Sequence, residues 1–82
     1  MRLLATYPST SAALRAEHRL KASGLAVELI PVPRQVRSNC GFCLLVDAPE
    51  CDESLRASGP DGLWRVLDPE PGTPRRRYEP YP

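Results

Sequence analysis

The sequence predicts an α/β protein of the α+β type with a ferredoxin-like β-α-β-β-α-β arrangement. Three observations lead to this prediction: short apolar runs that end at proline or glycine, a stretch of good helix formers after the first run, and a shorter helical stretch before the last one. In this arrangement four strands form one antiparallel sheet, and both helices lie on the same face of it. The other face is open to solvent or to a partner.

The first strand and the first helix follow directly from the beginning of the chain. Residues 2–7 are mainly apolar and are followed by Pro8, which is typical of a strand that stops there. The hydroxyl residues that come next can cap a helix, so a helix is predicted over residues 10–23, closed by Gly24. Glu17 lies beside its apolar stripe, either as a solvated flank or as a carboxylate directed at the cysteine loop described below. The stripe itself consists of Ala13, Ala16, Leu20 and Gly24.

The remaining elements alternate between apolar runs and polar breaks. Proline lacks a donor for the strand ladder, and glycine favours turns, so these residues mark the ends of the runs. The predicted elements are a strand over residues 25–30, a loop over 31–41, a central strand over 42–46, a short helix over 50–58 and a last strand over 62–67. In the last strand Trp64 and Val66 share one face, and Leu63 and Leu67 share the other.

The composition changes after residue 68. Residues 69–82 contain five prolines, three consecutive arginines and two tyrosines, without an aliphatic residue. Such a segment buries too little apolar surface to offset the entropy of ordering it. The sequence therefore predicts a folded domain over residues 1–68 and a disordered or polyproline-like tail over residues 69–82.

Size and charge exclude several classes of function. A chain of 82 residues forms one small domain with little room for an internal cavity, so a surface site is expected. Residues 1–68 carry eight basic and eight acidic side chains, which argues against nucleic-acid binding. We expect neither a membrane span nor a signal peptide, because Pro8 interrupts the first apolar patch. A cytoplasmic protein with three reduced thiols is therefore expected.

The loop before the central strand carries the most informative chemistry. Cys40 follows Ser38-Asn39 and precedes Gly41, and two cations, Arg34 and Arg37, come shortly before it. The thiolate is the reactive form of cysteine, and nearby cations lower the pKa of a thiol. These residues leave two interpretations open: Cys40 is a sulfur nucleophile close to Arg34 and Arg37, or it is a small residue in a surface turn.

A second thiol, Cys43, follows three residues later and leaves two interpretations open. It can resolve an intermediate on Cys40 by forming a disulfide, or it can be a small buried residue of the next strand. A zinc site built from the three cysteines and His18 is disfavoured, because His18 has no spacing relation to the thiols and a second Cys-x-x-Cys pair is missing. We therefore expect no metal and no cofactor. The sequence also lacks a Ser/His/Asp arrangement and a glycine-rich phosphate loop.

Three blocks of residues resemble a small bacterial family of selenium/sulfur carrier-like proteins. In order along the chain they are Tyr7-Pro8-Ser9-Thr10 with Ala13-Leu14 and Glu17, then Gly24 with Leu29-Ile30-Pro31-Val32-Pro33-Arg34, then Ser38-Asn39-Cys40-Gly41. The resemblance as a whole covers roughly residues 3–68. The resemblance implies a ferredoxin-like fold and a carrier, rather than a true enzyme, that holds sulfur or selenium on Cys40.

The resemblance also implies partners, namely a protein that donates the chalcogen and one that accepts it. Bound to Cys40, the atom forms a persulfide or a selenosulfide, and Arg34 or Arg37 could stabilise its charge. An alternative class is a non-catalytic ferredoxin-like interaction module in which Cys40 is incidental. A thiol redox sensor is a weaker alternative.

Overall fold

In a computed structural model of the chain, an antiparallel sheet carries helices on one face. The structure describes residues 2–36, 41–47, 53–67, 72 and 77–81. In these ranges it contains five strands and two helices, with the strand order β2-β3-β1-β4-β5 and every neighbouring pair antiparallel. The elements are β1 (Arg2–Thr6), α1 (Thr10–Ala22), β2 (Ala26–Pro31), β3 (Phe42–Asp47), α2 (Glu53–Ala57), β4 (Gly62–Leu67) and β5 (Arg77–Pro80).

The α+β class and the order of the first six elements are confirmed, whereas the four-stranded sheet is wrong. Residues 77–80, which the sequence places in a disordered tail, form β5 and pair with β4. The first three residues of the predicted helix 50–58 lie outside the described residues. The division of the chain at residue 68 into a domain and a tail stays a prediction.

Helix α1 is defined by a cap at each end. The Ser9 side chain accepts a hydrogen bond of 3.1 Å from the backbone N–H of Ala12, as predicted for an N-cap. At the other end Gly24 has a φ of 88°, a left-handed conformation that glycine adopts readily. Its N–H bonds to the Lys21 carbonyl, and the next N–H, from Leu25, reaches back to Leu20. This is a Schellman motif, and it turns the chain directly into β2.

The main hydrophobic core lies between the helices and one face of the sheet. Side chains of both helices and of alternate positions in β1 and β3 form one buried cluster, which places both helices on the same face, as predicted. Apolar burial of this kind is the main favourable term in folding. The fully buried members with large side chains are Leu3, Tyr7, Leu20, Leu44, Val46 and Leu55.

The second face of the sheet is also apolar, but only part of it is covered. Val36, from the β2–β3 connection, packs there against buried residues of the central strands and is itself 4% exposed. The buried partners are Leu4, Cys43 and Leu45, and half-buried side chains surround them: Ile30, Val32, Trp64, Val66 and Tyr78.

Neither α1 nor α2 combines the length and the hydrophobicity that are needed to cross a lipid bilayer. These are the two helices of the described residues.

Candidate functional site

Three chain connections meet at one end of the sheet. Thr6, the last residue of β1, lies between Cys43 at the start of β3 and Gly62 at the start of β4. The β2–β3 connection, the start of α1 and the turn between α2 and β4 are therefore neighbours. Cys40 and Arg37, both predicted site residues, belong by sequence to the first of these connections and lie outside the described residues.

The residues that flank this segment are held by backbone hydrogen bonds. The N–H of Val32 donates to the Gly41 carbonyl at 3.1 Å, and the N–H of Val36 donates to the Pro33 carbonyl at 3.0 Å. The second bond closes a turn that contains Arg34, whose side chain is exposed. Both ends of the segment that carries Cys40 thus have defined positions at the edge of the second sheet face.

Cys43 lies inside the protein. Its side chain is fully buried on the second sheet face, and its Sγ lies 3.9 Å from the backbone oxygen of Pro31. Burial in apolar surroundings disfavours the thiolate, which is the nucleophilic form. This position fits the interpretation of Cys43 as a small core residue, while its role as a resolving thiol stays a prediction.

A polar cluster that the sequence reasoning missed lies beside Cys43. The Thr6 hydroxyl donates a hydrogen bond of 2.6 Å to Oδ1 of Asp61, and the N–H of Asp61 donates to the Thr6 carbonyl at 2.8 Å. A Cβ built on Gly62 would lie 2.7 Å from the Thr6 hydroxyl oxygen, so a larger residue there would force the cluster apart. The available signal was Pro60-Asp61-Gly62, a typical turn sequence before a strand.

The indole of Trp64 borders this polar cluster. Its Nε1 is buried, has no hydrogen-bond partner among the described residues, and would lie 3.4 Å from the same Cβ on Gly62. A buried N–H without a partner costs free energy. The cluster therefore offers a carboxylate, a hydroxyl and an indole N–H close to the start of β3.

Two other residues singled out in the sequence lie on the helix side of the sheet. Glu17 forms an ion pair of 3.4 Å with Lys21, one turn further along α1, so the contact that its carboxylate makes is local. His18 is exposed on α1, whereas Cys43 points to the opposite face of the sheet. The sheet separates the side chains of His18 and Cys43, so these two residues cannot bind the same metal ion. Within the described residues, no group of three or more His, Cys, Asp or Glu side chains is arranged to hold a metal.

The family to which the chain belongs follows from a comparison with family models. The family model described as "Putative Se/S carrier protein-like" matches residues 2–58, which is more than half of the chain. The chain belongs to this Se/S carrier-like family. No curated protein and no solved structure gives a significant match.

The match to the Se/S carrier-like family covers the elements from β1 to α2 and includes all three cysteines. It therefore spans the three blocks of residues that the sequence analysis associated with this family. Strands β4 and β5 lie beyond it, although they belong to the same sheet.

Tyr7 is the buried residue that joins two of the three connections in this family member. Its hydroxyl donates to the Ser58 hydroxyl at 2.7 Å, since the single Ser58 proton goes to the Leu55 carbonyl. Burial raises the pKa of Tyr7, and the hydrogen bond to Ser58 opposes this rise only in part. The bond connects the start of α1 to the end of α2.

We expect Tyr7→Phe to lower the free energy of unfolding by about 0.5–1.5 kcal/mol at neutral pH, because one buried hydrogen bond is lost. The raised pKa means that the folded state holds the phenol proton more tightly than the unfolded state. The protonated phenol of Tyr7 therefore stabilises the folded state fully at pH values below the unfolded pKa of about 10. This stabilisation is lost as the pH rises from there through the higher pKa of the folded state. Urea unfolding of both proteins between neutral and strongly alkaline pH checks this. The wild type should lose stability more steeply than Tyr7→Phe, and parallel curves would contradict the assignment.

Proposed function

We propose that this protein carries sulfur or selenium on Cys40 between a donor and an acceptor protein. The observation that supports it most is the match to the Se/S carrier-like family over residues 2–58, a range that contains Ser38-Asn39-Cys40-Gly41. The burial of Cys43 further supports Cys40 as the thiol that is loaded, because a donor protein cannot reach a side chain inside the sheet face.

The loading step conserves atoms and electrons. The Cys40 thiolate attacks the terminal sulfur of a persulfide on the donor, a new S–S bond forms on Cys40, and the donor leaves as a thiolate. The bound sulfur keeps its oxidation state, so the transfer requires neither an oxidant nor a reductant. Transfer to the acceptor repeats this step with the acceptor thiolate as the nucleophile. The proposal places the protein in the cytoplasm, where thiols remain reduced.

A resolving role for Cys43 requires one further reaction. The Cys43 thiolate would attack Cys40 Sγ, form a Cys40–Cys43 disulfide and release the chalcogen as hydrosulfide or hydroselenide. A cellular dithiol would then reduce the disulfide. Because Cys43 is fully buried, this route also requires the start of β3 to open. We therefore propose direct transfer from Cys40 as the main route.

Arg34 and Arg37 are proposed to stabilise the anion on Cys40. Arg34 is exposed in the turn that ends at Val36, four residues before Cys40 in the sequence. We expect the double substitution Arg34→Gln/Arg37→Gln to raise the pKa of Cys40, since a nearby cation favours the thiolate. Iodoacetamide alkylation rates as a function of pH measure this shift. Lys21→Gln serves as the control, because it removes a positive charge from α1 instead of from the segment that contains Arg34 and Arg37. An unchanged pKa in the double variant would assign the activation to backbone amides instead.

The fold suits such a carrier. The first four strands have the order β2-β3-β1-β4, and both helices cover one face. We propose that this part is a ferredoxin-like core to which β5 adds a fifth, edge strand. The carrier cysteine would then belong to a connection at the end of the sheet, where two partners could reach it in turn.

A second candidate function is supported by the second sheet face. Several half-buried apolar side chains surround the covered centre there, including Trp64 and Tyr78. Such a face could bind a protein without any chemistry at Cys40. Iodoacetamide labelling separates the two functions. Fast labelling of Cys40 relative to Cys43 and Cys51 near neutral pH supports the carrier, and uniformly slow labelling supports the interaction module.

The direct test of the carrier is loading by a cysteine desulfurase in the presence of cysteine. Intact-mass analysis should show the addition of one sulfur atom, and peptide mapping should localise it to Cys40. Removal of the adduct by cyanide or dithiothreitol identifies it as sulfane sulfur. A protein that acquires no sulfur, or acquires it on Cys51, would contradict the proposal.

A further inference from the structure

A groove runs along the outer surface of the helix layer. It has a volume of about 290 Å³, and it is lined by α1 and by the residue that follows α2: Ala12, Arg15, Ala16, Arg19 and Ser58. The four α1 residues are spaced as i, i+3, i+4 and i+7, so they form one stripe of the helix. The site of chemistry proposed above uses none of these residues.

The side chains of this stripe explain the shape of the groove. The two alanines are small and sit low on the helix, with Ala16 only 2% exposed, whereas both arginines are exposed. The Ser58 hydroxyl is occupied, since it donates to the Leu55 carbonyl and accepts from Tyr7. The polar groups that the groove offers to a ligand are therefore the two guanidinium groups.

The charge of this groove is not balanced by the described residues around it. Two arginines at positions i and i+4 of a helix repel each other modestly. The carboxylate on the same helix, Glu17, pairs with Lys21 at 3.4 Å. Neither Arg15 nor Arg19 has a carboxylate within ion-pair distance in the described part of the chain.

We propose that this groove is a docking site for an acidic segment of a partner protein. Two guanidinium groups one helical turn apart match two carboxylates, and arginine binds carboxylates through paired hydrogen bonds. A nucleic acid is a poorer match, because the eight basic side chains of residues 1–68, these two arginines included, are balanced by eight acidic ones. Complementary charge of this kind mainly accelerates association and selects the partner.

The location of the groove suggests which partner it binds. Ala12 belongs to the first turn of α1 and Ser58 follows α2, so this end of the groove lies at the end of the sheet where Val36 and Gly41 flank the Cys40 segment. A protein seated in the groove would have its surface near that segment. The identification of this protein as the chalcogen donor or acceptor rests on the proposed function, whereas the binding of an acidic segment does not.

Fluorescence anisotropy with a labelled octaglutamate peptide tests the binding. We expect Arg15→Gln and Arg19→Gln each to weaken binding by about threefold to tenfold at low salt, and the double variant to weaken it by about tenfold or more. Lys21→Gln is the matched control, because it removes the same charge from the same helix outside the groove, and it should change binding by less than about twofold. The variant Arg15→Lys/Arg19→Lys should bind with intermediate affinity, since it keeps the charge and loses the paired hydrogen bonds.

Several results would overturn this proposal. If Lys21→Gln weakens binding of the peptide as much as the arginine variants do, the peptide is attracted by the overall charge of the helix and not by the groove. If the wild type does not bind the peptide, the groove is not a docking site. Displacement of the peptide by inorganic phosphate, beyond the effect of sodium chloride at equal ionic strength, would assign the groove to a small anion.

A loading experiment separates this proposal from the carrier function. The double variant Arg15→Gln/Arg19→Gln should accept sulfur at the wild-type rate from glutathione persulfide, which is a small donor. Its exchange of sulfur with the protein donor or the protein acceptor should be slower than that of the wild type. Failure of the wild type to load from glutathione persulfide would contradict the carrier function and leave the peptide-binding result standing.

Discussion

Cys40→Ser is expected to abolish loading with sulfur or selenium while the protein remains folded. A serine hydroxyl does not ionise near neutral pH and forms no stable S–S or S–Se bond, so the carrier atom has no attachment point. The substitution should change the free energy of unfolding by no more than about 0.5 kcal/mol, as is usual in a surface loop, which is the position that the sequence predicts for Cys40. Intact-mass analysis after incubation with a cysteine desulfurase and cysteine gives the first result, and urea unfolding gives the second.

Two matched cysteine variants make this experiment specific. Cys51→Ser removes another thiol and should load like the wild type. Cys43→Ala should load as well, although its stability should fall by about 1 kcal/mol because the residue is fully buried. If Cys43 resolves the intermediate, Cys43→Ala should accumulate the persulfide to a higher level than the wild type. A cyanide-labile sulfur on Cys40→Ser would contradict the assignment of the carrier residue.

Truncation after Asp68 is expected to destabilise the protein strongly. It removes β5, whose register places Tyr78 opposite Val66 and Pro80 opposite Trp64. Tyr78 packs on the second sheet face, while Tyr81 packs against the main core and its N–H donates to the Leu63 carbonyl at 2.9 Å. Residues 77–81 therefore make stabilising contacts on both faces of the sheet, at the edge that β4 and β5 form.

We expect this truncation to cost about 2–4 kcal/mol, from the two tyrosines and the strand pairing that are lost. For a domain of this size the melting temperature should fall by roughly 10–25 °C, at about 4–8 °C per kcal/mol. The exposed edge of β4 should also increase aggregation. Differential scanning calorimetry of the full chain and the truncated protein measures the effect.

Point variants of β5 and of Tyr81, the residue that follows it, test the same contacts without deleting residues. Tyr78→Ala and Tyr81→Ala should each reproduce part of the loss. The Tyr81 ring additionally faces Arg56 and Arg65, with each guanidinium carbon 5.7 Å from the ring centroid. Glu79→Ala is the control on the same strand. Its carboxylate makes an exposed contact of 3.9 Å with Arg65, so it should cost less than about 0.5 kcal/mol. An unchanged melting temperature after truncation would support a disordered tail.

Local signals in the sequence were sufficient where a short segment decides its own structure. The caps of α1 at Ser9 and Gly24, the buried stripe of the same helix and the alternation of Trp64 and Val66 with Leu63 and Leu67 in β4 are all as predicted. Pro31 was expected to stop β2, yet it is the last residue of that strand and pairs with Phe42. Strand β2 is at the edge of the sheet, where a missing N–H is tolerated.

The features that the sequence did not reveal depend on contacts between distant residues. Strand β5 has no aliphatic residue and a low tendency to order by itself, but two tyrosines and the free edge of β4 supply the contacts that composition could not indicate. The Thr6–Asp61 hydrogen bond joins residues 55 positions apart, and the requirement for glycine at position 62 arises from that bond. Pro60-Asp61-Gly62 indicates a turn, but not the contact of that turn with Thr6.

The sequence by itself determined the α+β class, the helices and the central strands. It also determined the family blocks and the choice of Cys40 as the candidate carrier. These features follow from periodicity, capping residues and short motifs, which are local properties of the chain. The tertiary structure decided that the sheet has a fifth strand and that Cys43 is buried with Val36 on the second sheet face. It also decided that Arg15 and Arg19 border a groove in which neither forms an ion pair with a carboxylate of the described residues. Burial and charge balance are sums over residues far apart in sequence, and only the packed chain brings those residues together.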